Sequence, residues 1–138
     1  MKTLRVRIRL DFGPSRALGP GKIALLEEMR RTGSLSKAAR ELGMAYRRAW
    51  LLLQSLNGLF DEPLARATKG GVGGGGVELT PAGEDLISAY RHLEGAVIRQ
   101  AKEDFGRFTL APGTSGSTAE SIKRLPRTRS SRKTTAGK

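Results

Sequence analysis

A chain of 138 residues has about the length of one domain, and with 38% hydrophobic and 5% aromatic residues it can build only a small core. Its formal net charge of +12 calls for a polyanionic partner, nucleic acid first and an anionic membrane surface second. Cysteine is absent, which excludes disulfides and thiolate chemistry. The single histidine, His92, leaves little for a metal, and no segment has the ~20 apolar residues of a membrane span or the apolar core of a signal peptide, so a cytoplasmic location is expected.

Leu4 to Leu10 alternates apolar residues with Arg5, Arg7 and Arg9, which predicts a half-buried strand with a basic outer face. Gly19-Pro20-Gly21 breaks the chain. Ile23, Leu25, Leu26 and Met29 then give a first helical stripe ending at Thr32-Gly33. Ser34 is placed to cap a short second helix, Leu35 to Leu42, whose inner face is Leu35, Ala38, Ala39 and Leu42. After Gly43 a third helix is expected from about Ala45 to Leu59. Ala49, Leu53, Leu56 and Phe60 fall on its core side, Arg47, Leu51 and Gln54 lie opposite, and Arg48 and Ser55 sit beside them. Tyr46 and Trp50 fall at the border between the two faces, open to packing or to DNA contact. Two helices joined by a glycine turn, the second with arginines near its start, have the sequence form of a helix-turn-helix. In that form Arg47, Arg48, Leu51 and Tyr46 become candidate DNA-binding residues, with Ser36 and Lys37 at the start of the second helix on the phosphate backbone.

The stretch "TKGGVGGGGVELTPAG" follows, with Gly71, Gly73 and Gly76 matching the G-x-G-x-x-G fingerprint of a dinucleotide-binding turn. The match lacks its context, since that turn needs a buried parallel strand before it and a helix opening at the last glycine. The segments Leu64 to Lys69 and Val77 to Leu79 read instead as two strands with the glycines as the tip of a hairpin. A hairpin directly after a helix-turn-helix is a wing, with Arg66 and Lys69 at its base and Gly73 and Gly74 able to lie close against DNA. A surface loop without contacts is the plainer alternative.

Thr80-Pro81 opens a last helix in a favoured way and carries it to about Asp104. Leu86, Tyr90, Leu93, Val97 and Ala101 form an apolar seam along it, widened by Ile87 and Ile98. Such a seam is longer than one small domain can cover, so these five residues are the expected homodimer interface, the alternative being a helix folded back on its own domain. Residues 1–106 are thus expected to be the DNA-binding domain with its dimerisation helix, about 80–104. Residues 107–138 carry eight Lys/Arg against one acid and read as a basic disordered tail, either a solubilising extension or an arm adding nonspecific attraction to DNA. No acids or histidines converge as a catalytic set, so neither an enzyme, a metal nor a cofactor is expected.

"GSLSKAARELGMAYRRAW" from Gly33 and "RATKGGVGGGGVELTPAG" from Arg66 resemble the N-terminal DNA-binding domain of ModE-type molybdate-responsive regulators and, more distantly, the winged helix-turn-helix of LysR-type regulators. The resemblance covers about residues 20 to 105. It implies a mainly α fold with a small β wing and a long C-terminal helix, a homodimer on double-stranded DNA, and a bacterial-type sequence-specific transcription regulator. An architectural or nonspecific binder acting through the basic tail is the alternative. Ala45 departs from the serine and Val72 from the lysine that relatives often carry there. Nothing in this chain corresponds to the family's molybdate-binding domain, so no molybdate site is expected in it.

Overall fold

The structure is a computed structural model that describes residues 4–71 and 74–113, with only the backbone described for residues 69–71 and 74. The chain divides into two units, Met1–Arg107 and Phe108–Lys138. Of the second, Phe108 to Gly113 are described and contain no helix or strand, while residues 114–138 of the expected tail lie outside the described residues.

The described residues of the first unit form two short strands, β1 (Leu10–Asp11) and β2 (Ala17–Leu18), then helices α1 (Pro20–Thr32), α2 (Leu35–Glu41) and α3 (Tyr46–Asn57). The hairpin β3 (Ala65–Gly71) and β4 (Gly74–Leu79) and the long helix α4 (Pro81–Phe105) complete the unit. Each boundary has a local cause. Pro20 sits in the first turn of α1, where a missing N–H costs nothing, and Gly33 ends the helix at φ 68°, a left-handed conformation that glycine adopts without strain. The Ser34 hydroxyl accepts from the Lys37 amide and caps α2. Thr80 caps α4 by accepting from the Gly83 amide.

The core is where the three-helix unit meets the wing and the first half of α4. Ile23, Leu25, Leu26 and Met29 of α1, Ala38 and Ala39 of α2, Ala49 and Leu56 of α3, Leu64 just before the hairpin, Val77 of β4 and Ile87 and Tyr90 of α4 are all buried. Ala38, Ala39 and Ala49 matter through their size, because helices cross closely only where the side chains at the contact are short. This arrangement is a winged helix-turn-helix, mainly α, with a 25-residue C-terminal helix.

Three sequence expectations change. Leu4 to Leu10 is not a strand: only Leu10 pairs, with Leu18. Its alternation is nevertheless real, since Leu4, Val6, Ile8 and Leu10 are half-buried and Arg5, Arg7 and Arg9 exposed. Ile8 is fixed by its carbonyl, which accepts from the Tyr90 hydroxyl at 2.8 Å, in place of a ladder. Phe60 is 41% exposed and stacks edge-on against Phe12, while Leu59 takes the core position, because α3 ends at Asn57 and the chain turns before the helical period reaches Phe60. The glycine strip, finally, is mostly ladder rather than tip, with Thr68 opposite Gly76 and Gly71 opposite Gly74. β3 and β4 are antiparallel neighbours, so the strand before the glycines is not the parallel strand of a dinucleotide-binding turn.

Candidate nucleic-acid interface

α2 and α3 are held to the wing by a set of bonds that begin in the turn between α1 and α2. The Val77 amide donates to the Gly33 carbonyl at 3.0 Å, which joins β4 to that turn. Gly76 has to be glycine for this approach: a Cβ there would stand 2.6 Å from Thr68 Oγ1 and 3.0 Å from the Gly33 carbonyl oxygen. At the C-terminal end of α3, Asn57 acts as a short piece of strand. Its Oδ1 accepts from the amides of Leu64 and Ala65 at 2.9 and 3.1 Å, and its Nδ2 donates to the Ala65 carbonyl at 3.0 Å. The last residue of α3 therefore fixes where the wing begins. Lys22 performs a similar task inside, donating to the Ala17 carbonyl and to Ser55 Oγ of α3; burial, helped by the nearby charge of Arg9, holds its ammonium below the usual lysine range.

The outward face of α3 is then presented rigidly. Ala49 and Leu56 anchor it, and Tyr46, Arg47, Arg48, Trp50, Leu51 and Gln54 are exposed. Leu51 keeps half of its surface in water, as does Tyr46. Ala45 offers α3 no side-chain cap, consistent with its small apolar side chain. Ser36 and Lys37 are exposed on the first turn of α2. Beside them Arg31, Thr32, Lys37, Arg40 and Glu41 line a polar depression, in which Arg31 is held by Glu28 at 2.7 Å and approached by Glu41 at 3.7 Å. The hydrogen bond that Arg31 donates to Glu28 raises the guanidinium above its ordinary value. Of the wing residues, Arg66 is exposed and bonded to Glu78 across the ladder at 2.8 Å, so it is not a free cation at rest. Lys69 and Gly74 lie in the strands with no side-chain placement described, and Gly73 lies outside the described residues.

The expected dimer seam is divided by the fold. Tyr90 is 2% exposed and bonded to the N-terminal segment, so it belongs to the core of its own chain and is withdrawn from the seam. The reason lies in the helix period: Gly83, Ile87 and Tyr90 form the inward face of α4, and Leu86 packs against the edge of the same core. Leu93, Val97 and Ala101 are half-buried in the single chain, and beyond Tyr90 no residue of α4 is fully buried. Arg91, bonded to Glu27 of α1 and to Glu94, ties the middle of α4 to the helix-turn-helix and has its guanidinium pushed well above the usual range, first by the bond to Glu27.

Sequence reasoning missed two positioning residues. Asn57 carries no signal beyond being a polar residue at the end of an apolar helix. Gly83 sits where a Cβ would run into the Leu64 carbonyl oxygen, which is how closely the start of α4 is pressed on the base of the wing.

Residues 21–84 match the bacterial regulatory helix-turn-helix protein family of the lysR type, and this stretch of the chain is a LysR-type helix-turn-helix domain. More particularly, the N-terminal region is similar to ModE and Mop proteins. It is 48% identical over 82 residues to the molybdenum-pterin-binding protein MopB of Rhodobacter capsulatus, covering 59% of this chain and 30% of that protein. It is 39% identical over 88 residues to the molybdenum transport protein ModE of Azotobacter vinelandii, covering 64% and 33%. With the DNA-binding transcriptional dual regulator ModE of Escherichia coli K12 it shares 38% identity over 85 residues, covering 62% and 32%. The chain thus spans about a third of the length of these relatives.

Proposed function

We propose that this chain is a sequence-specific DNA-binding transcriptional regulator that works as a homodimer, without catalytic activity, in the cytoplasm of a bacterial cell. The observation that carries the reading is the face of α3, where Arg47, Arg48 and Leu51 are exposed on a helix anchored in the core by Ala49 and Leu56 and bonded to the wing through Asn57, in a LysR-type helix-turn-helix domain on a chain of charge +12. α3 enters the major groove, where arginine pairs bidentately with a guanine edge and Leu51 meets a thymine methyl. Ser36 and Lys37 contact the backbone, and the wing, through Arg66, Lys69 and the glycines Gly73 and Gly74, meets the backbone or the minor groove. Two copies joined along Leu93, Val97 and Ala101, with Leu86 at the margin, present two reading heads to an inverted repeat.

The test is selection of duplexes from a randomised pool with the purified chain. An inverted repeat with half-sites about one helical turn apart supports the reading, and a pool that stays random overturns it. The charge of residues 107–138 favours a second reading, an architectural binder whose affinity resides in the basic tail. Raising the salt separates the two, because a specific regulator keeps its preference as the electrostatic contribution falls, whereas a nonspecific binder loses all sequences together.

A further inference from the structure

Between α3 and the wing runs an open cleft of about 490 Å³, with Tyr46, Trp50 and Gln54 on the helix wall and Arg66, Gly75 and Gly76 on the wing wall. Its aromatic residues are only partly spent on packing. Tyr46 and Trp50 keep 56% and 45% of their surface exposed, in a chain that has one tryptophan and two tyrosines. Large apolar rings left in water beside polar groups mark a surface that something covers. The opposite wall is bare for a reason that packing only half explains. Gly76 is required by its neighbours, but a Cβ on Gly75 would meet only the Thr68 carbonyl oxygen at 3.6 Å, an ordinary contact, so the fold itself does not ask for glycine there. Glycine weakens a strand, and its place beside an open cleft leaves room for another backbone to approach. Arg66 supplies a cation at the same wall, held at rest by Glu78.

Resting on the DNA-binding reading above, we propose that this cleft holds the sugar–phosphate backbone of one DNA strand as it passes from the groove occupied by α3 to the wing. The rings of Tyr46 and Trp50 cover deoxyribose, Gly75 gives the strand room, and Arg66 exchanges Glu78 for a phosphate. Three things on the structure select this occupant: the cleft is continuous with the helix-turn-helix face, its cation suits a phosphate, and its aromatic wall suits the apolar face of a sugar. Glu78 acts as an internal competitor that holds affinity down. None of these contacts carries sequence information, so they set the strength of binding and not its choice.

Trp50 is its own reporter, since no other tryptophan emits. The intact 138-residue chain is titrated with a duplex selected from a randomised pool and with a scrambled duplex of equal length, and the acrylamide accessibility of Trp50 is followed. Protection that tracks the binding curve of both duplexes at low salt is expected. Glu78→Gln is expected to bind both more tightly, and Arg66→Ala to bind both more weakly with a salt slope flattened by ~0.9, the value of one neutralised phosphate. A bound duplex that leaves Trp50 as accessible as before, with Glu78→Gln at the wild-type affinity and Arg66→Ala at the wild-type slope, overturns the cleft proposal and leaves the regulator reading standing. Stronger protection by a single strand than by duplex points to base stacking and also overturns it. Failure to bind any DNA overturns both.

Discussion

Gly83 shows how much one missing methyl group decides. The third residue of α4 sits so close to Leu64 that Thr80, three residues earlier, can donate its amide to the Leu64 carbonyl and its hydroxyl to the Pro63 carbonyl at 2.7 Å. Gly83→Ala puts a side chain into that carbonyl oxygen and is expected to cost ~1 to 3 kcal/mol, the range of overpacking. Gly95→Ala in the same helix meets nothing closer than Arg99 Nη1 at 3.5 Å and is expected to stabilise by up to about 1 kcal/mol, the propensity difference between the two residues. Denaturant unfolding of the two variants checks both, and equal effects count against the packing argument. Arg47 is the residue-scale test of base reading. Exposed on the first turn of α3, it is expected on replacement by alanine to lose ~1 to 3 kcal/mol of specific binding and to relax one base pair per half-site. Equal loss on selected and random duplexes in a gel-shift titration assigns Arg47 to phosphate instead.

At the scale of the element, α4 serves two purposes in sequence. Its first part, through Gly83, Ile87 and Tyr90, belongs to the core of one chain. Its second part carries Leu93, Val97 and Ala101 only half-buried, which is where the proposed second copy packs. Leu93→Asp sets a charge in that apolar interface and is expected to give monomers with strongly weakened binding to an inverted repeat, while the thermal unfolding of the helix-turn-helix changes little. Sedimentation of the unmutated chain as a monomer at micromolar concentration refutes the interface. The wing is an element of the opposite kind, short of side chains and held by what its neighbours offer: Asn57 and Thr80 at its base and the Gly33 carbonyl farther along β4.

For the whole molecule, charge is divided between +5 over residues 1–106 and +7 over residues 107–138. Removing residues 107–138 is expected to flatten the salt dependence of DNA binding by ~0.9 for each phosphate that the tail neutralises, while leaving the selected sequence the same. An unchanged slope in fluorescence titrations across salt concentrations would give the tail another partner. Molybdenum appears in the names of MopB and of the Azotobacter ModE. For this DNA-binding unit we expect affinity to respond to molybdate no more than to sulfate at equal ionic strength. A saturable calorimetric signal for molybdate alone would refute this.

What the sequence determined by itself was whatever rests on local periodicity and capping. Ile23 to Met29, Ser34 with its short helix, Arg47 opposite Ala49, and Thr80-Pro81 all carry their structural meaning within a few residues, and the helix-turn-helix with its wing and long final helix followed from them. Tertiary structure alone decided which of two equally apolar surfaces is covered. The alternation from Leu4 to Leu10 predicts a buried edge whether the cover is a partner strand or the side of α4, and only the meeting of Tyr90 with Ile8 chooses the helix. The same contact takes Tyr90 out of the dimer seam, since hydrophobic burial is non-directional and a stripe does not record what will lie against it. The glycines follow the same rule: their number is visible in the chain, but that Gly76 and Gly83 are tightly enclosed while Gly75 meets only an ordinary contact depends on atoms brought near from elsewhere in the chain.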